Sequence, residues 1–283
     1  MYIPRTNSTN TLMRELIAAG NPPEFIYTGF QTAGRGQAGN GWESEEGKNL
    51  LCSIAVESRK TASLKVESPF YLNVLVSVAV HKVVAQLLQR SGLTAKRSYS
   101  DSGLTAKRSY SEAVTIKWPN DIYWGDRKIA GILVENTLMG SEVRYSIAGI
   151  GLNVNQTEFV SGAPNPVSMK QISGTDFEVN RIMEQLIAEV RRVEAMEREE
   201  VWAYYKAHLY RREGFWPFVE REVSLEPTMN ARREEAQSIK DQGQGVKVFM
   251  ARIADICPTG EIVLEDQNGI SKKYHFKEIR FVV

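Results

Sequence analysis

Two stretches of this chain carry the residue types that chemistry needs. Residues 34–42 read GRGQAGNGW, four glycines around Arg35 with Trp42 at the end. Ordering glycine costs more backbone entropy than ordering any other residue, so a loop this bare is expected where a ligand comes close. Successive backbone N–H groups can cradle an anion, and an arginine fork matches a carboxylate or a phosphate. Residues 117–135 read KWPNDIYWGDRKIAGILVE. There Lys128 opens an apolar strand, and Gly131, three positions on, lets a ligand approach the backbone. Taken singly, Lys128 would be a strand-end lysine reaching solvent, and Asn120 and Asp121 would be turn formers after Pro119. Their gathering with Lys117 beside one apolar pair of strands points to a pocket.

Three readings of the glycine loop are open on its residues alone. Gly34, Gly36 and Gly39 satisfy GxGxxG, but the dinucleotide fingerprint needs a helix directly after the loop, and Gly41, Gly47 and an apolar strand follow instead. A kinase glycine-rich loop does lie between strands, yet the chain has neither HRD nor DFG. The third reading is a hairpin loop with no ligand.

These segments need elements to hold them. TNSTNTLMRELIAAGNPP predicts a short helix through Leu12, Leu16 and Ile17, ended by Gly20 and two prolines. Strands are expected at 25–30 and 49–56, on either side of the glycine loop, and a helix at 68–90 with Leu72, Leu75, Val76, Ala79, Val83, Leu87 and Leu88 on one face. VTIKW, KIAGILVEN and VRYSIAGIGLNV follow as an antiparallel meander, with Gly125-Asp126 as a two-residue turn. One long helix is expected from about 180 to 210, its stripe running from Ile182 to Met196. After Pro217 the composition shifts to short β-branched runs separated by PTG and DQNG, which predicts a small β barrel. Its polar stretch 229–245 is expected to be a long exposed connection. The segment SGLTAKRSYSD at 91–101 is repeated as SGLTAKRSYSE at 102–112, a local duplication that lengthens a surface connection.

The bulk numbers bound the partners. In 283 residues, 35 basic and 34 acidic side chains leave a formal charge of +1, so no global field recruits nucleic acid or an anionic membrane. The amino terminus lacks the apolar core of a signal peptide, and no run is expected to span a membrane, which favours the cytoplasm. Cys52 and Cys257 lack CxxC spacing and are expected to be buried packing residues in a reducing compartment.

Taken together, STN at 8–10, QTAGRG at 31–36 with Gly39 and Trp42 behind it, KWPND at 117–121, KIAGIL at 128–133 and GIGLN at 149–153 resemble the biotin protein ligases. The resemblance runs along essentially the whole chain. It implies an α+β fold: a mixed, largely antiparallel sheet packed by helices at 1–217, like a class II synthetase, and an SH3-like β barrel at 218–283. It implies ATP-dependent activation of biotin to biotinyl-5′-AMP with Mg2+, then transfer to a lysine of a biotin carboxyl carrier protein or another carrier domain. Lys128, Arg35 and Asp121 would carry the chemistry. Ser8, Thr9, Asn10, Gln31, Gly34, Arg35, Lys128 and Gly131 would meet biotin, with Gly149 and Gly151 also admitting ligand to the backbone. Arg35, Gly36, Gln37, Trp42, Lys117, Asn120, Lys128 and Asn153 would meet the nucleotide, and the metal ligands are unassigned. With STN at residue 8, no amino-terminal DNA-binding domain is expected, and a homodimer stays open.

Where the family's best-known loop is GRGRxGRxW, this chain has Gln37 and Asn40 in place of two arginines, so fewer cations would surround the adenylate. The rivals are a lipoate or octanoate ligase or transferase, whose GGG-containing motif is absent, and a non-catalytic biotin sensor.

Overall fold

The computed structural model describes residues 1–57, 70–90, 113–139, 142–161, 165–220 and 247–282. Both copies of the duplicated segment and the stretch 229–245 lie outside them. The chain divides into two compact units, 1–210 and 211–283.

The first unit is built on seven strands: β1 (Tyr2–Thr6), β2 (Phe25–Gln31), β3 (Leu50–Glu57), β4 (Val114–Lys117), β5 (Asp121–Trp124), β6 (Arg127–Met139) and β7 (Glu142–Leu152). They lie in the order β1-β2-β3-β7-β6-β5-β4. β1 runs parallel to β2, and every other pair is antiparallel. The Gly125-Asp126 turn forms as expected, with Gly125 at φ +55°. β1 is an element the sequence reading did not anticipate. Its five residues, YIPRT, show no sustained apolar alternation, and it is held by pairing at the sheet edge.

Directly paired residues share a face of a sheet, as do alternate residues of one strand. One face therefore carries Ile26, Ser53, Gly149 and Leu133 in one rung, and Leu51, Gly151, Gly131, Asp121 and Lys117 in the next. The other face carries Cys52, Ile54, Ile150, Ile132, Ala130, Ile122 and Ile116, all buried. Helix α1 (Thr9–Ala18) packs Met13 against Ile26 and Ile147 on the glycine-bearing face. Helix α2 (Tyr71–Arg90) covers β4 to β7 on the apolar face. Behind it lie α4 (Val179–Glu194) and α5 (Arg198–Ala207), after the short α3 (Met169–Ser173).

Three expectations change. The single helix at 180–210 is two, because Glu197 is extended (ψ 139°) and starts α5 afresh. The break turns Tyr205 inward, where its hydroxyl donates to the Pro119 carbonyl at 3.0 Å. α2 is also long and apolar enough to cross a membrane, with mean hydropathy 1.5, but it is sandwiched between sheet and helices and forms the core. Cys52 is buried, which pushes its thiol up to about 12, whereas Cys257 is only half-buried at the start of the turn that Gly260 closes.

The second unit is an antiparallel sheet of β8 (Trp216–Glu220), β9 (Lys247–Ile256), β10 (Ile262–Asp266), β11 (Ser271–Tyr274) and β12 (Ile279–Phe281), in the order β11-β10-β9-β8-β12. Phe218 and Phe281 pack at 4.9 Å between ring centroids in its core. No pairing of β11 with β12 closes the sheet among the described residues. A boundary at 217 falls inside β8, since Trp216 and Pro217 already pair with Ala251 and Met250.

One buried titratable cluster supports the edge of the large sheet. His81 of α2 is 1% exposed; its Nδ1 lies 3.0 Å from the Tyr204 hydroxyl and its Nε2 lies 3.0 Å from the Val114 carbonyl. His208 stands beside it with ring centroids 4.7 Å apart, and Lys82, paired with Glu189, lies over the Tyr204 ring. Burial, against the Val114 hydrogen bond and with smaller contributions from His208 and Lys82, lowers the His81 pKa from 6.5 to about 4. In the unfolded chain His81 protonates near pH 6.5, so between pH 6.5 and 4 the unfolded state binds the extra proton and stability falls with pH. We predict that this group removes about 3 kcal/mol as pH drops through that window. Melting curves of wild type and His81→Phe against pH check this: the variant, less stable at pH 7, should show a flatter decline from 6.5 to 4.

Candidate active site

Helix α1 presents its first turn to the sheet through polar side chains. Ser8, its N-cap, makes no side-chain capping bond. Thr9 donates its backbone N–H to Gln31 Oε1 at 2.8 Å, and its hydroxyl reaches the same oxygen at 3.0 Å. Asn10 lies across three strands: Ser53 Oγ of β3 is 2.6 Å from its Oδ1, and its Nδ2 donates to the Leu133 carbonyl and the Glu135 carboxylate of β6 at 3.2 and 2.7 Å. On β7, beneath it, is Gly149, where a Cβ would stand 2.4 Å from Asn10 Oδ1. Ser53 also lies 2.7 Å from Thr9 Oγ1, but its one proton serves only one of its two neighbours at a time.

The glycine loop is closed by its own backbone. Trp42 N–H donates to the Gly34 carbonyl at 3.0 Å and Gly36 N–H to Asn40, an antiparallel bridge of Arg35 with Gly41 around the short turn Gln37–Gly39. A Cβ at Gly34 would stand 2.6 Å from the Trp42 carbonyl oxygen, so this glycine serves loop closure. The fold then lays the Trp42 indole across the paired glycines of β6 and β7. A Cβ would stand 2.3 Å from Cε2 at Gly151 and 2.9 Å from Cζ3 at Gly131. The bare backbone at Gly131, Gly149 and Gly151, expected to admit a ligand, thus receives Asn10 and Trp42. The indole Nε1 is buried and has no hydrogen-bond partner among the described residues. Behind Trp42, Glu43 accepts the N–H groups of Val160 and Ser161, both at 2.8 Å. Burial raises its pKa, but the bonds from Ser161 and Val160 outweigh it and hold the carboxyl below its ordinary value.

Lys128 joins this face through an irregularity in the sheet. A spacing of three would put Lys128 and Gly131 on opposite faces of a regular strand. The β5–β6 register slips between Ile122 and Tyr123, pairing Ile122 with Ala130 but Tyr123 with Lys128. This bulge brings the Lys128 ammonium to the glycine face, 2.7 Å from Asp121 Oδ1 and 5.7 Å from the Trp42 ring centroid. The backbone of Lys128 is tied to 165–167: its N–H donates to the Asn165 carbonyl and its carbonyl accepts from Val167. Lys117 shares the rung, with its Nζ donating to the Tyr123 hydroxyl at 2.9 Å.

Two of the expected nucleotide residues are engaged elsewhere. The Asn120 amide nitrogen donates to the Ile132 carbonyl, and Asn153 is buried with its Nδ2 on the Val167 carbonyl at 3.2 Å. Both hold the strands that carry Lys128. Ser53 and Glu135 belong to the cluster although the sequence reading did not single them out. Ser53 is a polar residue inside the apolar run LLCSIAV, and Glu135 opens the polar run Glu135-Asn136-Thr137 after the apolar half of β6; those were the available signals.

The described residues hold no group of three or more His, Cys, Asp and Glu side chains that could cage a metal. A magnesium ion that arrives with a polyphosphate draws its ligands chiefly from phosphate and water, which suits a site with one carboxylate, Asp121, on this rung.

Known proteins match both the sequence and the architecture. Residues 2–153 match the model of the biotin/lipoate A/B protein ligase family, and the chain belongs to that family. It is similar to the bifunctional ligase/repressor BirA of Escherichia coli, 27% identical over 232 residues that cover 81% of this chain and 59% of that protein. It is 37% identical to human biotin–protein ligase over 137 residues, 47% of this chain and 15% of that protein. The chain thus spans less than two thirds of these relatives. Among solved structures it shares the fold of the Aquifex aeolicus biotin protein ligase in complex with biotin and ATP, at a TM-score of 0.68, 17% identity and coverage of 100% and 98% of the two chains. The Leishmania major biotin protein ligase in complex with biotin gives a TM-score of 0.60 at 20% identity, covering 97% of each.

The Asn10–Gly149 contact makes a prediction about energetic coupling. Gly149→Ala should displace the Asn10 amide and cost about 1–3 kcal/mol through buried groups left unpaired. Asn10→Ala should cost a similar amount, and the two together no more than the worse single change. Denaturant unfolding of the three variants measures this; additive losses would show that the two do not share one contact.

Proposed function

We propose that this chain is an ATP-dependent biotin protein ligase that activates biotin as biotinyl-5′-AMP and transfers it to a lysine of a carrier domain. The observation that carries the reading is the Lys128 ammonium, turned by the bulge onto the glycine face, with Arg35 of the loop on the same face. The first step brings a carboxylate against a polyphosphate, and these cations offset the repulsion as charge develops. A biotin carboxylate oxygen attacks the α-phosphorus, and the bond to the bridging oxygen of pyrophosphate breaks. In the second step the carrier amine attacks the acyl carbon, AMP leaves, and the amine loses a proton. In this reading Asp121, which Lys128 meets at 2.7 Å, assists that amine.

Ser8, Thr9, Asn10 and Gln31 supply the hydroxyl and amide groups that suit a ureido ring. The Trp42 indole N–H, which has no partner among the described residues, is a donor for an acceptor-rich ligand. The first unit, 1–210, is the catalytic domain in this reading and the second, 211–283, an SH3-like barrel, a proposal that the five antiparallel strands of the second unit support. The cytoplasm is the proposed location, in keeping with two free cysteines.

Incubation with ATP, labelled biotin and a carrier domain tests the proposal; a sensor would bind label without covalent transfer. In that assay Lys128→Ala should slow adenylate formation roughly 100- to 1,000-fold while melting near the wild type. Asp121→Asn should form adenylate but transfer it slowly, and normal transfer would remove Asp121 from the second step. The loop makes a separate prediction. With Gln37 and Asn40 where relatives carry arginines, the adenylate should escape quickly, and Gln37→Arg should lengthen its half-life on the protein. An unchanged half-life would mean that these positions do not govern retention.

A further inference from the structure

Glu135 lies two residues beyond Leu133 on β6, on the face that carries Gly131 and Asp121. Its carboxylate collects three donors. Asn10 Nδ2 at 2.7 Å and Arg35 Nη2 at 3.1 Å meet Oε2, and Arg14 Nη2 at 2.8 Å meets Oε1. Arg35 Nη2 also donates to Thr11 Oγ1 at 3.2 Å. One amino group of the guanidinium is therefore used by two protein acceptors. The Nε and Nη1 N–H groups, three of the five donors, have no partner among the described residues.

We propose that Glu135 is the positioning residue of Arg35: it holds one edge of the guanidinium so that the remaining edge faces the substrate anion. The proposal rests on the ligase reading above for the identity of that anion. Arg35 stands on a glycine-rich loop closed by a single bridge, and its side chain would otherwise sample many rotamers. Glu135, by contrast, is fixed on a strand paired with Ile147 in the interior of the sheet. The pair is not there for stability. The Arg35 side chain is 40% exposed and that of Glu135 25%, conditions in which an ion pair contributes little to folding. Glutamate is also among the residues depleted in strands, so local propensity does not account for it here. What the contact supplies is direction, and misplacing a catalytic group by about 1 Å can cost about 100-fold in rate.

The test is biotin-dependent exchange of labelled pyrophosphate into ATP, measured on the full chain. Glu135→Gln keeps an acceptor for Asn10 and removes the charge that orients Arg35; exchange should slow about 10- to 100-fold with the melting temperature nearly unchanged. Arg35→Met should slow it at least as much, and the double variant should match Arg35→Met alone. Arg14→Met, which removes the other arginine from the carboxylate, should stay within about twofold of wild type. Glu135→Gln slowing the Arg35→Met protein by its own full factor, or Arg14→Met reproducing the Glu135→Gln loss, would overturn the proposal in favour of a general structural role. Nitrogen-15 relaxation of the Arg35 Nε–H gives a readout independent of activity: this group should be ordered in wild type and mobile in Glu135→Gln, and equal mobility in both overturns the proposal. Should wild type show no exchange, the ligase reading falls, and the relaxation result alone decides whether Glu135 orients Arg35.

Discussion

Lys128 reaches Asp121 because the pairing of β5 with β6 slips by one residue, and the chemistry of the site depends on that slip. In a regular strand the lysine would join Ala130 and Ile132 on the face that α2 covers, where an ammonium would have to be buried in the apolar core. The bulge instead turns it to the face where Gly131, which has no Cβ, leaves room for its ammonium beside the Trp42 ring. Its cost is local, one unpaired position in a ladder whose other rungs are intact. The groups around it hold the irregularity in place. Asn120 bridges to the Ile132 carbonyl, Asn153 ties the end of β7 to Val167, and the backbone of Lys128 pairs with 165–167.

The two faces of the large sheet divide the labour. The apolar face, closed by α2 with α4 and α5 behind it, supplies the hydrophobic burial that holds the unit together. The other face gives up such burial in its middle, where Gly131, Gly149 and Gly151 replace the branched side chains a sheet core would normally carry. Asn10 and Trp42 occupy those positions, one a hydrogen-bonding amide that fastens α1 to three strands, the other a flat ring that fastens the glycine loop. A glycine here is therefore a socket for another part of the chain as much as a clearing for a ligand.

Charge on this face is local and paired. Lys128 meets Asp121, and Arg35 meets Glu135, so the face is not a bare cationic patch, in keeping with a chain whose formal charge is only +1. Paired cations keep their direction and still offer unused donors to an anion. This suits a reaction that must align two negative reactants better than a diffuse positive field would.

Local signals in the chain were enough for α1, with its apolar spacing and its stop at Gly20, for the strands on either side of the glycine loop, and for the turn at Gly125-Asp126. They also nominated Arg35, from the bare glycine loop it stands on, and Lys128 and Asp121, from the polar groups gathered beside one apolar pair of strands. β1 escaped, since its hydrogen bonds come from a partner strand more than 20 residues away. α3 was legible in principle: Ser168 and Gln171 form a capping box and Gly174 ends the helix in the left-handed region, a pattern short enough to pass for loop. The break before α5 followed from where Tyr205 must point. Ser53, inside an apolar run, and Glu135, at the head of a polar one, gave no local sign of a shared role until pairing set them on the face that Asn10 meets. Sequence alone determined which residue types were available and most of the elements that carry them, because those depend on neighbours within a few positions. Which face each residue occupies, and so whether Lys128 meets Asp121 or Asn10 meets Gly149, was decided by strand register, a long-range property in which a slip of one residue reverses every side chain that follows.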